Sequence, residues 1–234
     1  MRVRTGDRGA GTGDREERAR VRRVTVKICG LTNREDALAA HEAGADCLGF
    51  VFFPASRRRL GAHSCGWIRE LPGRKVGVFR DQPRAWIEKI AAAAGLDLVQ
   101  LHGDETPEEC AALGGLGRVI KAVPVAGLVD WGRIGDLTGV ARILFDTASP
   151  TGGGTGRAFD WGLLAGRPDG LEFVLAGGLT PDNVAAAIAR VRPAGVDVAS
   201  GVESSVGRKD PEKVRAFVAA VRGSEASGAP REGE

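Results

Sequence analysis

The chain has 234 residues, of which 43% are hydrophobic, and this is enough apolar material for one large globular core. No apolar run approaches the length of a membrane span and no signal peptide begins the chain, so we expect a cytoplasmic protein without a membrane partner. The net charge is only +3, and the four cysteines and three histidines show no metal-ligand spacing, so we predict neither a metal site nor disulfides.

The first segment along the chain is a basic arm. Residues 1–23 hold eight arginines against four acidic residues, a charge of +4, so the rest of the chain carries 3 − 4 = −1. Such an arm could bind nucleic acid, but it has no aromatic side chains for stacking and its charges are mixed. We interpret it as a disordered extension or as a start codon assigned too early, and expect no nucleic-acid partner. Residues 223–234 read as a second disordered tail.

From residue 24 onward, short apolar runs alternate with helical patterns. The runs predict eight strands, at 24–28, 46–52, 75–79, 97–101, 118–122, 141–146, 172–176 and 195–200. Apolar residues at three- and four-residue spacing predict helices between them, most clearly at 34–44, 83–95, 181–191 and 210–221. Three helix starts combine a capping residue with proline, at Thr106-Pro107, Thr180-Pro181 and Asp210-Pro211. Gly44 and Gly95 are the predicted ends of two helices.

Eight strands, each followed by a helical segment, predict a single (β/α)8 TIM barrel over residues 24–222. Continuous apolar strands joined by helices indicate a parallel sheet that is covered on its outer face. An open doubly wound sheet is the alternative, but no GxGxxG motif follows the first strand. In a barrel of this kind, functional residues lie at the carboxyl ends of the strands.

Chemically useful residues follow the predicted strand ends and should converge on one rim. They are Cys29 at strand one, Arg58 after strand two, Gln100 and His102 at strand four, Asp146 at strand six, Gly177 and Gly178 after strand seven, and Ser200 and Gly201 after strand eight. The last two turns can offer backbone N–H groups to a phosphate, although their glycines also suit a tight turn. The stretch 152–161, which includes Gly154, is either a mobile lid or a third source of such donors.

Cys29 and Asp146 belong to strands one and six, on roughly opposite sides of the predicted mouth. A thiolate can act as a base and a desolvated carboxyl group as an acid, so the two together suit the movement of a proton between neighbouring atoms. Each also has a structural interpretation, Cys29 as a buried thiol and Asp146 as a helix cap. Lys27 points the same way as Cys29 and either lowers the thiol pKa or pairs with an acid such as Asp197.

The stretch SRRRL supplies positive charge after strand two. A planar guanidinium suits a carboxylate, because it donates parallel hydrogen bonds. Phosphate-binding turns on one side of the mouth and an arginine on the other imply a substrate with two anionic ends.

Eight blocks of the sequence resemble phosphoribosylanthranilate isomerase and occur in the order typical of that family, over about residues 24–222. The blocks are KICGLT (27–32), GADCLGFVFFPASRR (44–58), KVGVF (75–79), VQLHGDE (99–105), LFDT (144–147), GGTGRAFDW (153–161), LAGGLTPDNV (175–184) and SGVESSVGRKD (200–210). Any one of these blocks is weak, but the set is specific.

The resemblance implies an isomerase of tryptophan biosynthesis. Its reaction is the cofactor-free Amadori rearrangement of N-(5-phosphoribosyl)anthranilate to 1-(2-carboxyphenylamino)-1-deoxyribulose 5-phosphate. Asp146 is implied as the general acid at the ring oxygen and Cys29 as the base at C2. The implied substrate-binding residues are Arg58 at the anthranilate carboxylate, Gln100 and His102, with Gly154, Gly177, Gly178, Ser200 and Gly201 at the phosphate.

The chain departs from the family pattern at two places near the predicted site. Arg57 stands where the family commonly has proline, which leaves Arg57 as an alternative to Arg58. Ala199 replaces a frequent serine. Neither departure touches the acid–base pair.

Two other functions compete with this interpretation. A histidine-pathway or dual-substrate isomerase is the nearest, but the related histidine enzyme has an aspartate where Cys29 stands here. A non-catalytic, phosphoribosyl-binding regulatory barrel would have no need of the acid–base pair. We expect a monomer or a homodimer, since no interface can be inferred from the sequence.

Overall fold

The computed structural model describes residues 23–114, 119–137, 140–148 and 158–227. Eight parallel strands follow one another around a closed barrel, and the last strand pairs with the first. The strands are β1 (Thr25–Ile28), β2 (Cys47–Val51), β3 (Arg74–Phe79), β4 (Leu98–Leu101), β5 (Val119–Val125), β6 (Arg142–Thr147), β7 (Phe173–Leu175) and β8 (Gly195–Val198). The predicted (β/α)8 barrel is confirmed, and the open doubly wound alternative is wrong.

Helices and turns connect these strands. The α-helices of the described residues are α1 (Arg34–Glu42), α2 (Arg84–Ala94), α3 (Pro107–Gly114), α4 (Trp131–Gly135), α5 (Val184–Val191) and α6 (Pro211–Ser227). Single 3-10 turns occur at Ala62–Ser64, Gly66–Glu70, Trp161–Leu164 and Ser200–Val202, and a short hairpin, β9 (Glu203–Ser205) with β10 (Arg208–Lys209), follows β8. None of the described helices is long and apolar enough to cross a membrane.

The connections after β2 and β6 differ from the predicted pattern of a helical segment after every strand. In the part of the chain that the structure describes, they contain 3-10 turns and no α-helix. After β2 the reason is local, because Gly61, Gly66 and Pro72 interrupt any longer helical pattern.

Local capping explains two of the predicted helix boundaries, and a third boundary is wrong. The hydroxyl of Thr106 accepts from the N–H of Glu109 at 3.2 Å, and Glu109 accepts from the N–H of Thr106 at 2.8 Å, a reciprocal capping box for α3. Gly95 ends α2 in the left-handed conformation, at φ 62°. The predicted start at Pro181 is wrong, because residues 181–183 form a turn and α5 begins only at Val184.

Both faces of the barrel wall are buried. Side chains that point inward form a cluster that includes Cys47, Val76, Ile120 and Leu144. Side chains that point outward pack beneath the helices, where Phe145 meets neighbouring aromatic rings edge to face. This two-sided burial explains the continuous apolar runs of the strands.

The last helix continues to Ser227, beyond residue 222, at which the sequence predicted the barrel to end. Arg222 donates to the carbonyl oxygen of Val24 at 2.8 Å and to Asp46 at 2.9 Å, and Glu225 accepts from the N–H of Val24. These contacts with the start of the barrel stabilise the final turns of α6. Residues 1–22 and 228–234 lie outside the described part of the chain, so the predicted disorder of the two tails stays a prediction.

Candidate active site

The carboxyl ends of the eight strands surround one mouth. The predicted site residues that line it are Cys29, Arg58, Gln100, His102, Asp146, Gly177, Gly178, Ser200 and Gly201. Gly154 lies outside the described residues. Asp197 also lines the mouth, although the sequence suggested it only as a partner for Lys27.

Cys29 lies directly after β1, where its N–H donates to the carbonyl oxygen of Val198 at 2.8 Å. The residue is 8% exposed, so the thiol borders the mouth without being solvated freely. A glycine on the next strand leaves room for it: a Cβ atom at Gly49 would lie 2.9 Å from the Cys29 sulfur and 3.0 Å from Lys27 Cε. The bare backbone of Gly49 is therefore part of the thiol site.

A buried ion pair lies beside the thiol. Lys27 and Asp197 are direct neighbours across the seam between β1 and β8, and Lys27 Nζ lies 2.9 Å from Asp197 Oδ2. Burial lowers the pKa of Lys27, but the charges of Asp197 and Cys29 outweigh this and hold it above its ordinary value. Lys27 stays charged, and its positive charge also opposes the rise in the pKa of Cys29, so both suggested roles of Lys27 occur together.

Opposing effects act on the pKa of the Cys29 thiol. Burial, followed by the negative charge of Asp197, raises the pKa of Cys29 above its ordinary value. The charge and hydrogen bond of Lys27 and the charge of Lys209 oppose that rise. Lys209 belongs to the hairpin after β8 and is a neighbour that the sequence did not indicate. The ammonium groups of Lys27 and Lys209 therefore favour the thiolate form of Cys29.

Asp146 lies across the mouth at the end of a chain of hydrogen bonds. Gln100 Nε2 lies 3.0 Å from His102 Nδ1, and His102 Nε2 lies 3.2 Å from Asp146 Oδ2. With the amide of Gln100 as donor, Nδ1 accepts and Nε2 carries the proton toward the carboxylate. The N–H of Thr147 donates to Asp146 Oδ1 at 2.7 Å, so the carboxyl group is fixed from two sides.

The two glycine turns lie against each other. Gly177 has φ 84°, and a Cβ atom there would lie 2.3 Å from Thr147 Oγ1. A Cβ atom at Gly201 would lie 1.9 Å from the carbonyl oxygen of Leu179. The turns after β7 and β8 thus touch at the level of the backbone, which gives the glycines a packing role beside any role in phosphate binding.

Two buried acceptors in the mouth lack a protein donor. Among the described residues, neither Gln100 Oε1 nor Asp197 Oδ1 has a hydrogen-bond partner, although both side chains are buried. Buried polar atoms are nearly always paired with protein, water or ligand, so a water molecule or a ligand hydroxyl group would complete these two contacts.

The arginine of the mouth is Arg58, whereas Arg57 is exposed and does not contribute to the lining. The guanidinium of Arg58 is not isolated, because Glu203 accepts from its Nε and Nη2, each at 2.7 Å. Glu203 stands 145 residues later in the chain, and no sequence pattern indicated the pair. Among the described residues, no cluster of three or more potential metal ligands occurs.

A closed parallel barrel whose mouth holds a thiol, a carboxyl group, an arginine and two glycine turns is the architecture of a barrel enzyme that acts on an anionic substrate. Residues 26–220 match the family model described as N-(5'phosphoribosyl)anthranilate (PRA) isomerase. The chain belongs to this family, and the resemblance inferred from the sequence is confirmed.

Relatives with this name are similar over nearly their full length. An N-(5'-phosphoribosyl)anthranilate isomerase from Geobacter sp. (strain M21) is 51% identical over 199 residues, which cover 83% of this chain and 96% of the relative. One from Pelobacter propionicus is 49% identical over 201 residues, covering 83% and 94%.

Solved structures agree with this comparison. The phosphoribosyl anthranilate isomerase of Thermotoga maritima superimposes with a TM-score of 0.79 at 42% identity, covering 86% of this chain and 99% of that chain. A phosphoribosyl anthranilate isomerase in complex with reduced 1-(o-carboxyphenylamino)-1-deoxyribulose 5-phosphate superimposes with a TM-score of 0.77 at 41% identity, with the same coverage.

Proposed function

We propose that this protein rearranges N-(5'-phosphoribosyl)anthranilate to 1-(2-carboxyphenylamino)-1-deoxyribulose 5-phosphate in tryptophan biosynthesis, without a cofactor. The observation that carries the proposal is the presence of Cys29 and Asp146 in the lining of one mouth, beside the paired glycine turns. The names of the relatives, and the ligand of one of them, support the same substrate.

The reaction begins at the ribose ring. Asp146 gives a proton to the ring oxygen, the bond between that oxygen and C1 breaks, and the nitrogen lone pair forms an iminium with C1. Because His102 donates to Asp146 Oδ2 and Thr147 to Oδ1, both donors also stabilise the carboxylate that results. Ring opening needs a proton donor at this one atom, which is the role of Asp146.

The second step occurs at C2. The thiolate of Cys29 removes the C2 proton, and the electrons of the broken C2–H bond form a C1=C2 double bond. The π electrons of the iminium return to nitrogen, so a neutral enolamine forms. Protonation of C1 and loss of the hydroxyl proton at C2 then give the ketone. Lys27 and Lys209 lie close enough to influence the thiol charge, and they favour the basic form.

The rest of the mouth binds the substrate. The unpaired oxygens of Gln100 and Asp197 suit ribose hydroxyl groups as donors. Arg58 suits the anthranilate carboxylate, and the turns at Gly177-Gly178 and Ser200-Gly201 suit the phosphate. We keep the expectations of a cytoplasmic location and of a monomer or homodimer. One of the similar structures is of monomers generated from the dimeric phosphoribosylanthranilate isomerase of Thermotoga maritima.

The test is turnover of freshly generated substrate, followed by NMR or by a coupled next enzyme because substrate and product have equal mass. Cys29→Ala and Asp146→Ala should each lose about two or more decades of rate, the usual contribution of a positioned base or acid. A wild-type protein without turnover would overturn the proposed function. Near-normal rates in both variants would overturn the assigned roles.

The rival isomerase is tested with the same protein. The aminoimidazole substrate of histidine biosynthesis should not be turned over appreciably, and appreciable turnover would contradict the single-substrate proposal. A protein that binds the anthranilate substrate without converting it would instead be a regulatory barrel.

A further inference from the structure

We propose that Glu203 is a positioning residue for the reaction: it holds Arg58 so that one edge of the guanidinium faces the carboxylate of the substrate. This inference rests on the proposed function, because it concerns the carboxylate end of phosphoribosylanthranilate. Glu203 itself is absent from the lining of the mouth and acts through Arg58.

The contact between the two side chains is a fork. Arg58 Nε donates to Glu203 Oε1 and Nη2 donates to Oε2, each at 2.7 Å. The side chains are 13% and 6% exposed, so water competes little for these hydrogen bonds. Two parallel bonds fix the plane of the guanidinium as well as its position. The orientation of Arg58 is therefore set before any substrate arrives.

The fork leaves a second edge of the guanidinium available. Arginine has five N–H donors, and Glu203 takes the one on Nε and one of the two on Nη2. Among the described residues, the remaining donors on Nη1 and Nη2 have no protein partner. The Nη1–Nη2 edge presents two parallel N–H groups, which is the geometry that a carboxylate accepts.

The stem of Arg58 is fixed as well. Gly30 has φ 74°, and a Cβ atom there would lie 2.4 Å from Arg58 Cδ, so the arginine crosses bare backbone at this point. Gly30 directly follows Cys29. The arginine is thus held at its head by Glu203 and along its stem by the residue next to the proposed base, which couples the carboxylate position to that of the thiol.

A third residue, Lys209, also pairs with the carboxylate of Glu203. Lys209 Nζ lies 3.0 Å from Glu203 Oε1 and 2.9 Å from the carbonyl oxygen of Ala199, and its side chain is buried. Burial raises the pKa of Glu203, but hydrogen bonds and charge from Arg58 and Lys209 outweigh it and hold the pKa below its ordinary value. Burial lowers the pKa of Lys209, and the charge and hydrogen bond of Glu203 and the charge of Cys29 oppose that fall. With Lys209 charged, two cations share one carboxylate and the three side chains carry a net charge of +1.

The alternative is a structural role, in which Glu203 only ties the hairpin of β9 and β10 to the barrel. The N–H of Gly207 also donates to Glu203 Oε1, at 3.3 Å, which is consistent with such a role. The two roles differ in one respect. A purely structural residue would affect all ligands alike, whereas a positioning residue for Arg58 should affect only ligands that carry the carboxylate.

The experiment compares two probes. One is reduced 1-(2-carboxyphenylamino)-1-deoxyribulose 5-phosphate, and the other is the same compound without its carboxyl group. In Glu203→Gln, the Kd of the carboxylated probe should rise about tenfold or more, because charge-assisted hydrogen bonds of Arg58 are misaligned. The Kd of the second probe should change less than about twofold, and KM for the substrate should rise more than kcat falls.

Glu225→Gln is the matched control. Glu225 is also a partly buried carboxylate that pairs with an arginine, Arg222, at 3.0 Å, but it lies at the opposite end of the barrel. We expect this variant to lower stability without changing the ratio of the two Kd values. In an Arg58→Ala background, Glu203→Gln should leave that ratio unchanged, because the residue through which it acts is gone.

Each outcome decides between the explanations. Equal weakening of both probes, or an unchanged ratio in Glu203→Gln, would overturn the positioning role. Glu203→Asp keeps the charge that Lys209 needs, shortens the side chain by one methylene, and answers the same question if the glutamine variant does not fold. A wild-type protein that neither binds the carboxylated probe nor turns over the substrate would overturn the proposed function instead.

Discussion

Replacing Gly49 by alanine tests whether the thiol site depends on bare backbone in β2. The added Cβ atom would lie 3.0 Å from the backbone Cα of Cys29, 2.9 Å from its sulfur and 3.0 Å from Lys27 Cε. Carbon atoms pack best at about 3.5 Å or more, so β1 and β2 must separate by about 0.5 Å, or the thiol and lysine must move.

The cost of this change can be worked from that displacement. Overpacking of a well-packed interior typically costs about 1–3 kcal/mol of the free energy of unfolding. A misplacement of 1 Å in an active site can cost about a hundredfold, so a shift of about half that size should lower kcat by about tenfold. Urea denaturation and steady-state turnover of the proposed substrate measure the two effects separately.

Gly66→Ala is the control, because nothing lies within 4 Å of the Cβ atom that it adds. Neither glycine has a positive φ, so alanine is compatible with the backbone at both positions. We expect wild-type stability and kcat for Gly66→Ala. Gly49→Ala with wild-type values in both assays would refute the argument that this glycine makes room for the thiol.

Two further predictions concern the charge beside the thiol and the outer core. Because burial and Asp197 raise the pKa of Cys29, alkylation of this cysteine by iodoacetamide should reach half its maximal rate above the ordinary thiol pKa of about 8.5. Asp197→Asn removes the negative charge and keeps the positive charge of Lys27 beside the thiol, so the pH of half-maximal alkylation should fall. Mass spectrometry of the peptide that contains Cys29 measures the rate at each pH. A rise in this pH would contradict the charge assignment. Phe145 is fully buried and contacts Trp131 and Phe173 edge to face, so Phe145→Ala should lose about 3–5 kcal/mol of unfolding free energy in urea. A loss below about 1 kcal/mol would show that these ring contacts contribute little.

The architecture could be predicted because each strand has two buried faces. Continuous apolar runs identify such strands without reference to their neighbours, and all eight runs coincide with barrel strands. The connections are less predictable. The length of α6 depends on Arg222 and Glu225 reaching Val24, and such a contact between distant residues leaves no periodic pattern in the sequence.

The candidate site was predictable where a residue ends a strand, because the barrel brings all strand ends to one rim. Lys27 and Asp197 could be paired in advance, since both point inward and their strands are neighbours in a closed barrel. Glu203 and Lys209 could not. They belong to a hairpin after β8, outside the barrel strands, and their orientation toward Arg58 exists only after the chain has folded.

The bonds between α6 and Val24 also have a practical consequence for how the protein can be joined to others. Arg23 and the end of α6 lie together at the amino end of the strands, where Arg23 contacts Asp46 and Arg222 contacts the same carboxylate. The mouth opens at the opposite end. A fusion partner or surface tether joined directly at Arg23 or at Ser227 would leave from the floor of the barrel, so immobilisation at these two positions should leave substrate entry unobstructed.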